Sequence, residues 1–191
     1  GAFEDSLSDT SALPDAVFAG SAADLEGGEL GAVQDALGQT VSFYKDAFAA
    51  TADALANDVA AVVVPRNTAV DTPIHVLNIS LPADEAWAAA PRLVVVAGQG
   101  SKVGLVEEFR GPEGGVYFNN AISEVVLRDN AHVEHVRVQR ESDDAFHLSR
   151  HAIRLGQHAH YDSVSVHLGA EHSRTDLYAL HEGEGTWCRV D

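Results

Sequence analysis

The stretch that decides the fold begins with RLVVVAGQGSKVGLVEEFR at residues 92–110 and continues to residue 191. It is a series of short apolar runs separated by small and polar residues. The runs occupy residues 94–96, 103–106, 121–127, 133–138, 153–155, 164–168 and 177–180. Three of the breaks fall at Gly156, Gly169 and Gly183, which are 13 and 14 residues apart. Short β-rich runs at this spacing predict an all-β body.

The near-constant spacing leaves three architectures open. A stacked array of coils buries each unit only against its neighbours, whereas a sandwich or a cupin-like barrel produces much the same spacing. Alternation of faces is clearest at residues 163–168, where valine and leucine share one side and serine and histidine the other. Residues 174–179 alternate in the same way, as the period of a strand requires.

One helical region precedes this body, at residues 29–57. Its apolar side chains are spaced three or four apart, which places them on one stripe that we expect to pack on the core; they are Leu30, Val33, Leu37, Val41, Tyr44 and Phe48. Gly38 weakens the middle, so we expect two helices with a break near residues 38–40. Gly27 and Gly28 are expected to break the chain before the first helix.

Further short strands are predicted at residues 16–19, 60–64 and 74–81. Residues 84–90, which carry Trp87, are predicted as a loop or short helical turn. We expect one domain over residues 1–191, with an α/β lead-in at 1–60 and a β body at 61–191.

Composition narrows the class of protein. The hydrophobic content of 46% excludes a disordered chain. No run is long enough to span a bilayer and no signal peptide is recognisable, so we expect a cytoplasmic protein. Cys188 is the one cysteine, which excludes an internal disulfide and fits a reducing compartment. The net charge of −17 argues against binding to nucleic acid or to an anionic membrane.

Both ends of the chain have the character of cut ends. There is no methionine, and residue 191 directly follows a strand-like run. We therefore expect a fragment of a longer protein, whose remaining parts could carry the chemistry.

Histidine is the obvious candidate for a site, with ten residues. His158 and His160 would lie on one strand face about 7 Å apart, a spacing that holds Zn, Fe or Mn if a third ligand arrives. A cupin site adds a glutamate three or four residues later, but none follows His160 before Glu171. A metal-dependent cupin-like or sugar-processing enzyme that uses His158 and His160 remains the alternative function. Two further polar clusters are His132, Glu134 and His135, and His147 with His151.

The remaining motifs point away from catalysis. Cys188 lies in a predicted strand, where a lone cysteine is usually a small buried hydrophobe. Glu107 and Glu108 are adjacent, so a strand directs them to opposite faces and they cannot form one acid–base pair. GQGSK at residues 98–102 lacks the following helix that a phosphate-binding loop needs. We predict no catalytic, cofactor-binding or metal-ligating residue.

Several segments, in order, resemble the SufB/SufD family of iron–sulfur cluster assembly proteins. They are PRLVVV at 91–96, GSK at 100–102, VEEFRG at 106–111, NNAISEV at 119–125, NAHVEH at 130–135, VQRE at 138–141, GAEHSRTDL at 169–177 and GEG at 183–185. The N-terminal part resembles SufD rather than SufB. It does so at LPDAV (13–17), the helix at 43–56, the strand at 62–65 and PIHV (73–76).

The resemblance implies a mainly β fold, a right-handed parallel β-helix preceded by a short α/β segment with one or two helices. It implies a non-catalytic scaffold that pairs with a SufB-like paralogue, while a SufC-like partner supplies the ATPase activity. The cluster would be transient in the full complex, with no cofactor in this fragment. The family's Cys-x-His-Gly-Ala-type motif does not occur here, so Cys188 inherits no role. The open strand edges of a truncated β-helix also allow a homodimer.

Overall fold

The structure, a computed structural model, describes residues 2–39, 46–81 and 85–191. Two short 3-10 turns, Asp5–Leu7 and Ala22–Asp24, lie near the N-terminus. The helices are α1 (Gly27–Ala36) and α2 (Ala47–Leu55). The strands are β1 (Phe18–Ser21), β2 (Ala60–Val64), β3 (Ile74–Ile79), β4 (Trp87–Ala89), β5 (Arg92–Ala97), β6 (Lys102–Arg110), β7 (Tyr117–Leu127), β8 (His132–Arg140), β9 (Phe146–Leu155), β10 (His160–His167), β11 (His172–His181) and β12 (Trp187–Val190).

The strands form two sheets that the chain visits in turn. The first sheet has the order β1-β2-β5-β7-β9-β11, with β4 beside β7, and the second has the order β12-β10-β8-β6-β3. All pairs are parallel except β1 with β2. From β5 onward each strand of one sheet is followed by a strand of the other, so the chain winds as a β-helix of about four turns. This confirms the predicted fold class and excludes the sandwich and the barrel.

One corner of every turn has the same backbone conformation. Asn67, Gly100, Asn130, His158 and Gly185 all have positive φ values, between 55° and 67°. The amides of the first four donate to the residue before the matching corner of the next coil, as in Gly100 N to Asp129 O and Asn130 N to Gln157 O. Glycine and asparagine tolerate this left-handed conformation best. The repeated corner therefore aligns successive coils in register.

Helices cover the outer face of the first sheet. Val33 and Ala36 of α1 pack on Val94, Val96 and Val126, together with other apolar residues. Ala49 and Ala52 of α2 pack on Ala90, Ile122 and Ala152. The Asp46 carboxylate caps α2 by accepting from the amides of Phe48 and Ala49. The predicted packing of the helical stripe is thus confirmed for Leu30, Val33 and Leu37 and is wrong for Phe48, which is 50% exposed. Val41 and Tyr44 lie outside the described residues.

Three details differ from the sequence prediction. Trp87 begins strand β4 because it pairs with Tyr117 of β7, so the predicted loop or helical turn is wrong there. Gly27 and Gly28 open α1 and do not precede it. The first strand is β1 at Phe18–Ser21, two residues later than expected. Val164 and Val166 alternate with serine as predicted, but the valines are the exposed set. No helix in the described part of the chain is long and apolar enough to cross a membrane.

A buried polar seam as the candidate functional site

The interior of the β-helix is apolar at one end of its strands and polar at the other. Beside the corner with positive φ, the core is formed by Val103, Leu127, Val133, Ile153, Leu155 and their neighbours. Toward the opposite corner, the inward positions carry buried polar side chains. We call these residues the polar seam; they are Glu107, Asn119, Ser123, His135, Arg137, Gln139, Glu141, His147, His151 and the hydroxyl of Tyr161.

Glu107 is the charged centre of the seam. Its carboxylate, 2% exposed, accepts from Ser123 Oγ at 2.5 Å and from Arg137 Nε at 2.8 Å. Burial alone would raise the pKa of Glu107, but the adjacent Arg137 guanidinium, with His135 and Ser123, lowers it below its ordinary value. Glu107 and Arg137 therefore form a buried ion pair at neutral pH.

The Tyr161 hydroxyl joins two imidazoles in the same seam. It lies 2.9 Å from His135 Nδ1 and 2.5 Å from His151 Nε2. Burial lowers the pKa of His135 to about 4, with Glu107 opposing and Arg137 adding to the shift. Burial, with Arg137 and His135, also lowers the pKa of His151 well below its ordinary value. Both imidazoles are therefore neutral at pH 7.

The heavy-atom positions favour one set of tautomers for this chain. His135 Nε2 faces Glu107 Oε2 at 3.6 Å, so a proton on Nε2 points toward negative charge. His135 Nδ1 then accepts from the Tyr161 hydroxyl, whose oxygen accepts from His151 Nε2–H. His151 Nδ1 has no hydrogen-bond partner among the described residues. With these tautomers, His151 Nδ1 is an acceptor without a donor. The opposite tautomers would place a proton on His151 Nδ1 and leave a buried N–H without an acceptor, which costs more.

A second buried carboxylate, Glu141, lies at the end of the seam farthest from the corner with positive φ, where it contacts three other side chains of the seam. It accepts from Gln139 Nε2 at 3.0 Å and from Asn119 Nδ2, and His147 Nδ1 lies 2.6 Å from it. Burial opposes ionisation of Glu141, but the contact with His147 and the two amides lower its pKa. The His147 ring also packs edge-on against Phe109, with centroids 4.7 Å apart.

A narrow cleft reaches the seam from the end formed by β10 and β11. It is little wider than a water molecule and is lined by Phe109, Arg137, Val138, Gln139, His147, Ser149, Val166, His167 and Thr175. The seam can therefore hold fixed charge and ordered hydrogen bonds inside the β-helix.

The structure separates the histidine clusters that the sequence suggested. His158 occupies the corner with φ 55°, whereas His160 is the first residue of β10 and is exposed. The expectation that both imidazoles share one strand face is therefore wrong, because β10 begins after His158. His132 and Glu134 point outward from β8 and His135 inward, so that cluster is split. His147 and His151 both lie in the seam.

The other motifs lie largely where the sequence places them. Glu107 faces the interior, while Glu108 lies outside and accepts from Arg110 Nε at 2.6 Å, so the two carboxylates do point apart. Residues 98–102 join β5 to β6, with no helix after them. Cys188 lies half-buried in β12, where burial and the nearby Asp162 raise its pKa and keep it a thiol. No group of three His, Cys, Asp or Glu side chains within residues 2–39, 46–81 and 85–191 stands ready to hold a metal ion. The metal-enzyme alternative is therefore not favoured.

The polar seam is the feature that the sequence prediction missed. Its members are far apart in the chain; Glu107 and Arg137 are 30 residues apart. The missed signal is the length of one full coil. Residues about 28 to 30 positions apart occupy equivalent positions in successive coils and are therefore neighbours, as Asp129 and Gln157 are and as Glu107 and Arg137 are.

Comparison with known proteins identifies proteins to which this chain is similar. Residues 80–191 match the family model of the SUF system FeS cluster assembly SufBD core domain. An iron–sulfur cluster assembly SufBD family protein of Synechocystis is 33% identical over 194 residues, covering 97% of this chain and 43% of that protein. Protein ABCI7, chloroplastic, of Arabidopsis thaliana is 29% identical over 137 residues, covering 69% of this chain and 29% of that protein. The chain thus spans less than half the length of these relatives.

Proposed function

This chain belongs to the SufBD family of SUF-system iron–sulfur cluster assembly proteins, and we propose that it acts there as a SufD-like, non-catalytic scaffold. The observation that carries the proposal is the coincidence of the family core with the β-helix, since residues 80–191 span β4 to β12. The N-terminal segments that resemble SufD support that branch of the family.

The proposed partners are a SufB-like paralogue and a SufC-like ATPase. Among the described strands, β11 pairs only with β9 and β12 only with β10, so both sheets present an unpaired edge at this end of the β-helix. Leu177, Tyr178, Leu180 and Trp187 near these edges are between 38% and 55% exposed. Unpaired parallel edges flanked by apolar side chains favour pairing with another β-rich chain, and the same edges would serve a homodimer.

We further propose that any cluster is held only in the assembled complex. Iron–sulfur clusters are bound mainly by several cysteine thiolates. Cys188, the single cysteine, is half-buried with a raised pKa and can supply one ligand at most. A single reduced cysteine also fits the reducing compartment, such as the cytoplasm, in which cluster assembly takes place.

The test is partner capture followed by anaerobic reconstitution. The full-length protein, co-expressed with SufB-like and SufC-like proteins from the same source, should co-purify with them. Alone, it should retain no stoichiometric iron and sulfide and hydrolyse no ATP. Leu180→Asp at the exposed edge should reduce co-purification. Leu7→Asp is the matched control, since Leu7 is 79% exposed and precedes β1, which lies at the other end of the first sheet from β11. Stoichiometric iron and sulfide on the isolated protein would contradict the proposal.

A further inference from the structure

We propose that the narrow cleft beside Arg137 is a binding site for one small monovalent anion the size of a chloride ion. This inference does not depend on the scaffold function, because it concerns the interior of the β-helix and not its exposed edges. It rests on a buried guanidinium whose hydrogen-bonding capacity is mostly unused.

Arg137 points into the interior from β8 and is 5% exposed. A guanidinium carries five N–H donors and keeps its positive charge at any pH at which proteins fold. Among the described residues, Arg137 uses one of these donors, the Nε–H that binds Glu107 Oε2 at 2.8 Å. Its two terminal nitrogens therefore have no acceptor in that part of the protein. Buried donors without an acceptor are costly, so this side chain favours a bound acceptor.

The cleft is the place where such an acceptor can lie. Arg137 forms part of its lining on the second sheet, and the space is little wider than a water molecule. On the first sheet the lining includes Ser149 of β9 and Thr175 of β11, whose hydroxyl oxygens are 2.8 Å apart. One hydroxyl donates in that bond, so the other keeps its proton for a further acceptor. Both sheets therefore supply hydrogen-bond donors at the cleft.

The charge of the lining also favours an anion. The chain has a net charge of −17, yet no described Asp or Glu side chain lines the cleft. The two carboxylates of the seam, Glu107 and Glu141, contact lining side chains but do not line the cleft themselves. Arg137 is thus the guanidinium of the lining, and the other polar side chains there carry hydroxyl, amide or imidazole groups. They are Gln139, His147, Ser149, His167 and Thr175.

The charge and the size of the cleft both limit its occupant. One guanidinium, already shared with Glu107, offsets at most a single further negative charge, which disfavours buried sulfate or phosphate. A space little wider than a water molecule also has no room for their oxygens. A monatomic anion such as chloride or bromide meets both limits. A water molecule fits the same space, so the experiments must distinguish an anion from water.

The first measurement is the line width of the chloride NMR signal in the presence of the full-length protein at pH 7. We expect saturable broadening that bromide reverses by competition and that sulfate at equal ionic strength leaves unchanged.

Glu107→Gln should strengthen chloride binding several-fold, because it removes the negative charge that competes for Arg137. The double variant Glu107→Gln, Arg137→Met should abolish the saturable component, because it removes the guanidinium without leaving a buried carboxylate unpaired. Arg174→Met is the matched control, since it removes an arginine of β11 whose side chain is 65% exposed, and it should change nothing. Circular dichroism checks that each variant folds.

The second measurement locates the ion and needs no variant. Anomalous diffraction from crystals of the full-length protein soaked in sodium bromide should show bromide in the cleft, within hydrogen-bond reach of the terminal nitrogens of Arg137. A cleft that holds only a water molecule, which bromide does not displace, would overturn the proposal. So would a well-folded double variant that binds chloride as the parent does, or an equal loss in Arg174→Met. Neither measurement involves a partner protein, so failure here is distinct from failure of the scaffold proposal.

Discussion

The two ends of one β-helix interior hold the coils together by different physics. At the apolar end, stacked side chains such as Val133 and Ile153 are fully buried and need no specific partner. At the polar end, Glu107 and Arg137 are equally buried, yet each depends on the other. Tyr161 marks the boundary, with its ring in the apolar cluster and its hydroxyl in the seam. Burial of apolar surface tolerates small losses, whereas a buried charge deprived of its partner does not.

The largest effect should come from Arg137→Met in the seam. It removes the guanidinium and leaves the Glu107 carboxylate buried without its counter-charge, which costs about 3–5 kcal/mol of unfolding free energy. Urea unfolding at pH 7 measures this. The double variant Glu107→Gln, Arg137→Met should recover much of the loss, because no unpaired charge remains. A loss below 1 kcal/mol in Arg137→Met would mean that the seam is hydrated and not a dry ion-pair network.

The second-largest effect should be a loss of unfolding free energy as the pH falls, caused by the buried histidines of the seam. The unfolded chain protonates His135 near its ordinary pKa of 6.5, whereas the folded chain keeps it neutral down to about 4. The unfolded state binds more protons in that window, so stability falls as the pH falls, by on the order of 3 kcal/mol. His151 shifts in the same direction.

Glu107 and Glu141 add to the same trend at lower pH. Their folded pKa values are lowered, so the stability they contribute is lost as the pH falls below their ordinary value of 4.5. Urea midpoints at pH 7, 5.5 and 4.5 test the histidine window. His172→Gln, on the exposed outer face of β11, is the control and should leave the slope unchanged. A flat midpoint between pH 7 and 4.5 would contradict the buried neutral histidines.

A smaller loss should follow Tyr161→Phe, which removes only the shared hydroxyl. Two buried imidazole nitrogens lose their partner, at a cost of about 1–3 kcal/mol. Nitrogen-15 NMR of the parent protein tests the assigned tautomers separately. His135 should carry its proton on Nε2 and accept at Nδ1, and His151 should carry its proton on Nε2. In Tyr161→Phe the His135 Nδ1 resonance should shift most, and the reverse tautomers in the parent would refute the assignment.

The smallest effect should be that of Ile153→Val at the apolar end. Removal of one buried methylene costs about 0.5–1.5 kcal/mol, with no charge or hydrogen bond left unpaired. Equilibrium unfolding should show this loss with no change in its pH dependence between pH 7 and 4.5. A loss as large as that of Arg137→Met would remove the distinction between the two ends.

Much of the fold could be predicted from local pattern. The runs at 94–96, 121–127 and 153–155 became β5, β7 and β9 because β-branched residues suit buried parallel strands. The two helices followed from the spacing of Leu30 and Val33 and from Gly38. Trp87 was mispredicted because its three-residue strand exists only through pairing with β7. At Val164 the alternation was predicted correctly, but local alternation shows only that a strand has two faces and does not show which one is buried.

By itself the sequence determined the spacing of the breaks between strands, the positions of most strands and the family resemblance, since these depend on residue types close together in the chain. Only the tertiary structure decided which polar residues meet. Glu107 meets Arg137 across 30 residues, and His132 faces Asp162 rather than its neighbour His135. A one-residue change in register would move each of these side chains to the other face of its sheet. Register is set by the stacking of successive corners and cores, which no single coil contains.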